Sequence, residues 1–316
     1  MWRLIAGIFL GWGLGANDSA NIFGTGVATR LIKYSTAIIL IALFVIIGSF
    51  LEGPKCMNTV GEMVGLTVST AFIATMAAAI IVSLLTWRGL PISTSQAIIG
   101  GVMGIGLYDF FRNYGSLHFE RLNKVVLCWA TAPLAAIMTS YLLYRILGFL
   151  IEKYLRRPST RDLLIETLFI LSGCYGAYTL GANNVANITG TYVGSGLLTP
   201  LQGALLGGFS IAFGALTYSR QVMVTVGEKI VPLDPFSAFI SQFSLSLTLH
   251  IFTQLEVPVS ASQAIVGAVV GIGLVKGVRT VSRRMIRNIL LSWIATPIFA
   301  GIISFLTIYM INLLTS

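Results

Sequence analysis

A polar motif that occurs twice constrains the fold of this chain more than any other feature of its sequence. The stretch LGANDSANIFGTGV, residues 14–27, recurs as LGANNVANITGTYV, residues 180–193, at an offset of 166. Two further segments recur at nearly the same spacing: Thr-Val-Gly-Glu begins at Thr59 and Thr225, and Ser-Gln-Ala-Ile begins at Ser95 and Ser262. The sequence therefore predicts two related halves.

The composition predicts a polytopic membrane protein with an all-α fold. Of the 316 residues, 56% are hydrophobic and 10% are charged, whereas about 25% of the residues in a soluble domain are charged. Apolar runs at residues 2–29, 35–51, 68–87 and 124–150 are long enough to cross roughly 30 Å of hydrocarbon. The first run lacks a signal-peptide cleavage pattern, so we expect it to be retained as a helix in the plasma membrane.

The duplicated motif predicts two broken helices. Each copy places Gly, Asn and Thr, which are poor helix-interior residues, inside strongly apolar sequence. A membrane helix that is broken at such a motif turns its freed polar groups toward a binding site. Asp18 strengthens this expectation, because a carboxylate within a membrane segment is rare and usually functional.

A second pair of segments predicts two re-entrant hairpins. Pro91 and Pro258 each precede a short hydroxyl-rich stretch that ends in Gln96 or Gln263. A Gly-rich apolar run then follows in each case, and it is too short for a comfortable span of about 20 residues. We expect each hairpin to place its polar tip at membrane depth.

The distribution of charge predicts an inverted repeat. The net charge of +9 comes from basic residues in short loops, which fits the positive-inside rule and anionic lipid and excludes nucleic acid as the partner. We expect a first repeat over residues 1–150, a cytoplasmic basic connector over 151–161 and a second, inverted repeat over 162–316. Both termini are then extracellular.

Several other functions are disfavoured by what the sequence lacks. Cys56, Cys128 and Cys174 are scattered without C-x-x-C spacing, so neither a disulfide framework nor a metal site is indicated. There is no H-E-x-x-H or G-x-S-x-G motif, so we do not expect an enzyme.

The double motif, the paired Thr-Val-Gly-Glu stretches and the paired hairpin segments together resemble the inorganic phosphate transporter (PiT) family over nearly the whole chain. This resemblance implies an inverted-repeat secondary transporter that carries phosphate, commonly with sodium, and that forms a homodimer. It places sodium binding on two sets of motif residues: Asn17, Asp18 and Asn21, and Asn183, Asn184 and Asn187. It places phosphate binding on the two hairpin tips: Ser93, Thr94, Ser95 and Gln96, and Ser260, Ser262 and Gln263.

This chain departs from the family pattern at three of these positions. Asn184 stands where many relatives have Asp, and Gln96 and Gln263 stand where many have His. The ion coupling and the anion are therefore not fixed by the resemblance: proton coupling could replace sodium coupling, and sulfate or a related oxyanion could replace phosphate. The alternative hypothesis from a different functional class is a passive anion channel.

The chemistry of these residue types suits a paired anion and cation. Hydroxyls beside the unpaired backbone N–H groups of a helix start supply donors to an oxyanion. Sodium takes oxygen ligands such as carboxylate and amide oxygens. A carboxylate such as Asp18 can also accept a hydrogen bond from protonated phosphate, whereas it only repels sulfate. We therefore expect phosphate uptake coupled to sodium by alternating access.

Overall fold

The computed structural model describes residues 2–88, 92–112, 118–155, 157–229, 233–277 and 283–315. Pro91 of the first hairpin, Arg156 of the connector and the terminal Ser316 lie outside the described residues. The side chains of residues 225–229, which include the second Thr-Val-Gly-Glu stretch, also lie outside that description.

The described residues form a short 3-10 turn at Trp2–Leu4 and twelve α-helices, which we number in chain order. They are α1 Ile5–Ala28, α2 Tyr34–Glu52, α3 Pro54–Gly61, α4 Val68–Trp87, α5 Thr94–Phe111, α6 Phe119–Tyr154, α7 Pro158–Gly194, α8 Pro200–Tyr218, α9 Arg220–Lys229, α10 Pro235–Gln254, α11 Ala261–Lys276 and α12 Arg283–Thr315.

The lengths and hydropathies of these helices confirm a multi-pass membrane protein. Among the described residues, seven helices are long and apolar enough to cross a membrane, namely α2, α4, α6, α7, α8, α10 and α12. Helix α1 is 24 residues long, but the Asn and Asp residues of its motif lower its hydropathy. Helix α11 is shorter, at 16 residues.

The prediction that both motif helices are broken is wrong. Helix α1 continues through residues 14–27 and α7 continues through residues 180–193 without interruption. The physical reason is close packing: a Cβ on Gly15 would overlap the Ile211 carbonyl of α8, and one on Gly181 would overlap the Val45 carbonyl of α2. Glycines here let neighbouring backbones approach, as is usual in membrane helices, rather than ending the helix.

Described non-helical residues lie instead between the paired helices, at residues 92–93 before α5 and residues 255–260 between α10 and α11. Each pair forms a helix–loop–helix hairpin, as the sequence predicts. Ser93 is the N-cap of α5 and accepts a hydrogen bond from Gln96 N at 3.2 Å, while Ser260 caps α11 and accepts from Gln263 N at 3.3 Å. Serine at these positions favours a helix start because its hydroxyl satisfies an otherwise unpaired N–H group.

The two halves exchange helices rather than forming separate domains. Helix α5 packs on α12, and α11 packs on α6. The approach is close in both cases: a Cβ on Gly100 would overlap the backbone of Pro297, and one on Gly267 would overlap the backbone of Pro133. Each hairpin is therefore held by the long helix of the other half.

Helices α1 and α7, which carry the two motif copies, run antiparallel. Gly7 near the start of α1 lies against Tyr192 near the end of α7, and Gly26 near the end of α1 lies against Phe169. The predicted connector, residues 151–161, covers the end of α6, the residues between the helices, and the first turn of α7. Equivalent helices thus point in opposite directions.

Candidate functional site

All the residues that the sequence nominated for binding are buried in the centre of this arrangement. The six motif residues on α1 and α7 are 0–2% exposed, and the seven hairpin residues at the starts of α5 and α11 are 0–3% exposed. Among the described residues, Asp18 is the one buried side chain that is acidic or basic.

The two hairpin tips contact each other through a reciprocal pair of hydrogen bonds. The Ser95 hydroxyl donates to the Val259 carbonyl oxygen at 3.0 Å, and the Ser262 hydroxyl donates to the Ile92 carbonyl oxygen at 2.7 Å. Ser95 and Ser262 are equivalent in the two halves, as are Ile92 and Val259. The sequence duplication therefore has a counterpart in matched bonds at one site.

The second motif joins the tip of the first hairpin directly. Asn187 Nδ2 donates to Ser95 Oγ at 2.8 Å and to Asn184 Oδ1 at 2.9 Å, and Ser95 Oγ lies 3.3 Å from Asn184 Oδ1. In the first motif, Asn21 Nδ2 donates to Asp18 Oδ1 at 3.2 Å. The Asp18–Asn21 and Asn184–Asn187 pairs are thus equivalent in bonding but differ in charge.

The hydroxyls of Ser93, Ser260 and Ser262 have partners within their own hairpins that define their orientation. Besides capping their helices, Ser93 and Ser260 lie beside the tip contact, and the Ser260 and Ser262 hydroxyl oxygens are 2.9 Å apart. Because Ser262 donates to Ile92, the hydroxyl of Ser260 is the donor in this pair. Thr94 and Gln96, in the first turn of α5, are equally buried.

Several polar atoms of these residues are buried without a hydrogen-bond partner. These atoms are Asn21 Oδ1, Asn187 Oδ1, Gln96 Oε1, Gln263 Oε1, Thr94 Oγ1 and Asn184 Nδ2. Buried polar groups in folded proteins are nearly always satisfied, so each exception requires an explanation. A cluster of such atoms from both halves indicates a site for a polar or charged ligand.

The unpaired atoms include both kinds of group that an ion pair needs. Four are amide oxygens, which suit a hard cation, and the Asn184 amide nitrogen and Thr94 hydroxyl can donate to an anion. The hydrogen bonds made by Asn21 Nδ2 and Asn187 Nδ2 fix which end of each amide is the oxygen. No carboxylate besides Asp18 faces this cluster among the buried residues that the structure describes.

Sequence reasoning missed two residues of the site, Thr86 and Thr253. Thr86 Oγ1 accepts from Asn17 Nδ2 at 3.1 Å, and Thr253 Oγ1 accepts from Asn183 Nδ2 at 3.0 Å. Both are buried near the ends of α4 and α10. They are separated by the same 167 residues as the hairpin serines, so extending the comparison of the halves beyond the Pro residues would have found them.

Comparisons with known proteins agree with this geometry. The model of the phosphate transporter family matches residues 14–164 and 151–304. A predicted phosphate permease of Methanocaldococcus jannaschii is 32% identical over 304 residues, which cover 96% of this chain and 95% of the relative. A sulfate permease of Bacillus subtilis is 27% identical over 311 residues, covering 96% of this chain and 86% of the relative.

A solved structure, that of a sodium-dependent phosphate transporter, has the same fold. It superimposes with a TM-score of 0.87, and the match covers 99% of this chain and 100% of that chain at 23% sequence identity. The arrangement of the twelve helices is therefore one that is already known among membrane transporters.

Proposed function

Because the chain belongs to the phosphate transporter family, we propose that it is a secondary active transporter that imports inorganic phosphate together with sodium by alternating access. The observation that carries this proposal is the cluster of buried, unpaired polar atoms where the two hairpin tips meet the two motifs. Localisation in the plasma membrane and assembly as a homodimer are part of the same proposal.

Phosphate is proposed to bind at the hairpin tips. The starts of α5 and α11 present hydroxyl and backbone N–H groups at the positive ends of two helix dipoles. Ser93, Ser95, Ser260 and Ser262 are proposed to supply the hydroxyls, and those of Ser95 and Ser262 would exchange their bonds across the tip contact for bonds to phosphate. Thr94, Gln96 and Gln263 complete the polar surface. Dense donors of this kind replace the water that an oxyanion loses when it leaves solvent.

Sodium is proposed to bind beside Asp18. The Asp18 carboxylate and the unpaired amide oxygens of Asn21 and Asn187 are buried oxygen atoms of the kind that sodium takes as ligands. Burying a charge without a partner costs several kcal/mol even after relaxation. A cation and an anion that bind together reduce this cost for each other, and this mutual effect couples the two fluxes.

Sulfate transport is the competing assignment, because a relative of similar coverage is named a sulfate permease. Asp18 favours phosphate, since protonated phosphate can donate a hydrogen bond to a carboxylate and sulfate cannot at neutral pH. Coupling to protons and passive conduction of the anion also compete with sodium-coupled phosphate import. Each of these mechanisms predicts different behaviour in one uptake assay.

The test is uptake of radiolabelled phosphate into proteoliposomes, with sodium imposed as an inward gradient or replaced by potassium. We expect accumulation above equilibrium that requires the sodium gradient, and competition by arsenate stronger than competition by sulfate. Equilibration without sodium would indicate a channel. Uptake that follows an imposed pH gradient alone would indicate proton coupling.

Two serine-to-alanine variants, one in the first hairpin and one control, test whether phosphate binds at the proposed site. We expect Ser95→Ala to weaken phosphate binding by roughly tenfold or more, because a hydrogen bond to a charged group is worth about 1.5–3 kcal/mol. Ser304→Ala is the matched control, since Ser304 is a buried serine on α12, which carries none of the proposed site residues. Equal phosphate affinity in the two variants would remove the first hairpin from the site.

A further inference from the structure

Two of the six motif asparagine and aspartate residues are already fully engaged by the hairpin loops. Asn17 Nδ2 donates to Thr86 Oγ1 at 3.1 Å, and Asn17 Oδ1 accepts from the backbone N–H of Ile92 at 3.2 Å. Thr86 lies in the last turn of α4, and Ile92 lies near the end of the loop that joins α4 to α5. One amide on α1 therefore bridges both ends of this loop.

The second half repeats the arrangement. Asn183 Nδ2 donates to Thr253 Oγ1 and to the Val257 carbonyl oxygen, both at 3.0 Å, and Asn183 Oδ1 accepts from Val259 N–H at 2.8 Å. Asn183, Thr253 and Val259 are the equivalents of Asn17, Thr86 and Ile92. The same bridge thus occurs once in each half of the chain.

The neighbouring motif residues are bonded differently. Asn21 and Asn187 lie one helical turn further along α1 and α7, on the same helix faces. Their amide nitrogens are engaged by Asp18 and by Ser95, but their oxygens have no partner. The oxygen of Asn17 or Asn183 is held toward the loop by the backbone N–H that it accepts. Turning that oxygen toward a cation would leave the buried N–H unpaired, which is costly.

We propose that Asn17 and Asn183 are positioning residues that anchor the hairpin loops to α1 and α7, and that they are not sodium ligands. This inference rests on the proposed function and divides the six predicted sodium residues in two. Asp18, Asn21, Asn184 and Asn187 face the ions, whereas Asn17 and Asn183 hold the tips in place.

The anchors act on the contact between the tips through a single residue in each hairpin. Asn17 holds the N–H group of Ile92, and the carbonyl of the same residue accepts from Ser262 of the other tip. In the same way, Asn183 holds Val259 N–H, and the Val259 carbonyl accepts from Ser95. Each anchor therefore fixes the peptide that the opposite hairpin recognises.

The geometry also couples each hairpin to its motif helix during transport. If the tips separate when the site opens, Asn17 keeps the first hairpin attached to α1 and Asn183 keeps the second attached to α7. The site would then open between two units, each consisting of a motif helix and a hairpin.

The test compares removal of the anchor amide with removal of its partner hydroxyl. The variants are Asn17→Ala, Thr86→Val, Thr86→Ser and, as a ligand control, Asn21→Ala. Thr86→Val keeps the shape of the side chain and removes the acceptor of Asn17, whereas Thr86→Ser retains it. Sodium binding without phosphate is measured by calorimetry on the purified full chain, and phosphate affinity is measured at saturating sodium.

We expect Asn17→Ala and Thr86→Val to keep the sodium affinity within about twofold of the parent while phosphate affinity falls about threefold to tenfold. Thr86→Ser should restore the phosphate affinity of the parent. Asn21→Ala should lose sodium affinity by about tenfold or more. The inference would be overturned if Asn17→Ala lost sodium affinity as Asn21→Ala does while Thr86→Val matched the parent.

Hydrogen–deuterium exchange provides a readout that does not depend on transport. Loss of the first anchor should speed exchange in peptides that contain Ile92 and leave peptides that contain Val259 unchanged, and Thr253→Val should do the reverse. Unchanged exchange at Ile92 in Asn17→Ala would contradict the anchoring role. A parent that exchanges as expected but binds neither sodium nor phosphate would instead contradict the proposed function.

Discussion

At the scale of single residues, the main difference between the two halves is the charge of Asp18 compared with the neutral Asn184. The two side chains occupy equivalent places, and each accepts a hydrogen bond from the Asn one turn further along its helix. Only Asp18 carries a formal charge that can balance a cation. The two halves would therefore contribute unequally to the proposed ion site, although one hydrogen bond is common to both.

We expect Asp18→Asn to abolish or strongly reduce sodium-dependent uptake while the protein remains folded, because the amide keeps the acceptor for Asn21 but loses the charge. Asn184→Ala should have a milder effect. Uptake against sodium concentration in proteoliposomes measures both, and a sodium dependence in Asp18→Asn equal to that of the parent would place sodium elsewhere.

The reverse change, Asn184→Asp, is a sharper test of the same inequality. It keeps the oxygen that accepts from Asn187 and replaces the unpaired amide nitrogen with a second oxygen. A new carboxylate should either recruit another cation, seen as a steeper sodium dependence, or weaken phosphate binding by repulsion. A variant indistinguishable from the parent would mean that position 184 lies outside the ion site.

At the scale of helices, stability depends on backbone contacts that only glycine permits. A Cβ on Gly15 would meet the Ile211 carbonyl and the Ala215 backbone nitrogen of α8, and neither can move as a flexible side chain would. These contacts keep α1 straight and close to α8, so that Asn17 and Asp18 stay beside the hairpins.

We expect Gly15→Ala to destabilise the protein by about 1–3 kcal/mol, the usual range for overpacking. Gly65→Ala is the control, because a Cβ on Gly65 meets nothing within 4 Å. Thermal unfolding of the purified variants should give a lower midpoint for Gly15→Ala only. Equal midpoints would show that α1 and α8 can separate without penalty.

A capping residue at the start of α10 gives a pH dependence. Asp234 caps α10 by accepting from Ser237 N at 3.0 Å, and it also binds Lys276 at the end of α11. Burial raises the pKa of Asp234, but the hydrogen bonds from Lys276 and Ser237 outweigh it and leave the pKa below its ordinary value. Ionised Asp234 thus closes the open end of the second hairpin.

The pKa of Asp234 is lower in the folded than in the unfolded protein, so ionised Asp234 adds to the free energy of unfolding. This contribution is fully present above the ordinary pKa of a carboxyl group, and it is lost as the pH falls through the pKa of the folded protein. Asp234→Asn keeps a good capping side chain and removes the charge. We expect its unfolding midpoint to lie below that of the parent at about pH 7, and the gap to close as the pH falls through the carboxyl range. A gap independent of pH would exclude this contribution.

At the scale of the whole molecule, the antiparallel packing of α1 and α7 supports the inverted repeat, and the basic residues predict its orientation in the membrane. The basic residues around the α6–α7 junction are expected to be cytoplasmic, and the turn between α7 and α8 is expected to be extracellular. Both termini are then also extracellular.

Single cysteines introduced into a background without Cys56, Cys128 and Cys174 test this orientation. We expect Ser195→Cys to react with a membrane-impermeant maleimide in intact cells, and Arg157→Cys to react only after the membrane is permeabilised. Labelling of Arg157→Cys from outside, with Ser195→Cys protected, would reverse the topology. Labelling of both from the same side would contradict a spanning α7.

The sequence by itself determined the class of the protein and its two related halves, and it nominated the residues of the proposed site. The class follows from hydropathy, because apolar side chains are needed where a helix is surrounded by lipid. The two halves and the nominated residues follow from the duplicated motifs, which mark equivalent positions. Ser95, Ser262, Asp18 and Asn187 were nominated in this way, and all four lie buried in one cluster. The extents of α2 and α4 were also close to the predicted spans.

Only the tertiary structure decided which helices are continuous and what each polar side chain binds. Local propensity suggested breaks at residues 14–27 and 180–193, but α8 and α2 pack so closely there that the glycines stabilise the helices instead. The partners of Asn17 and Asn183 lie 69–76 residues away in the chain. Hydrogen bonds at such separations depend on how the helices of each half meet.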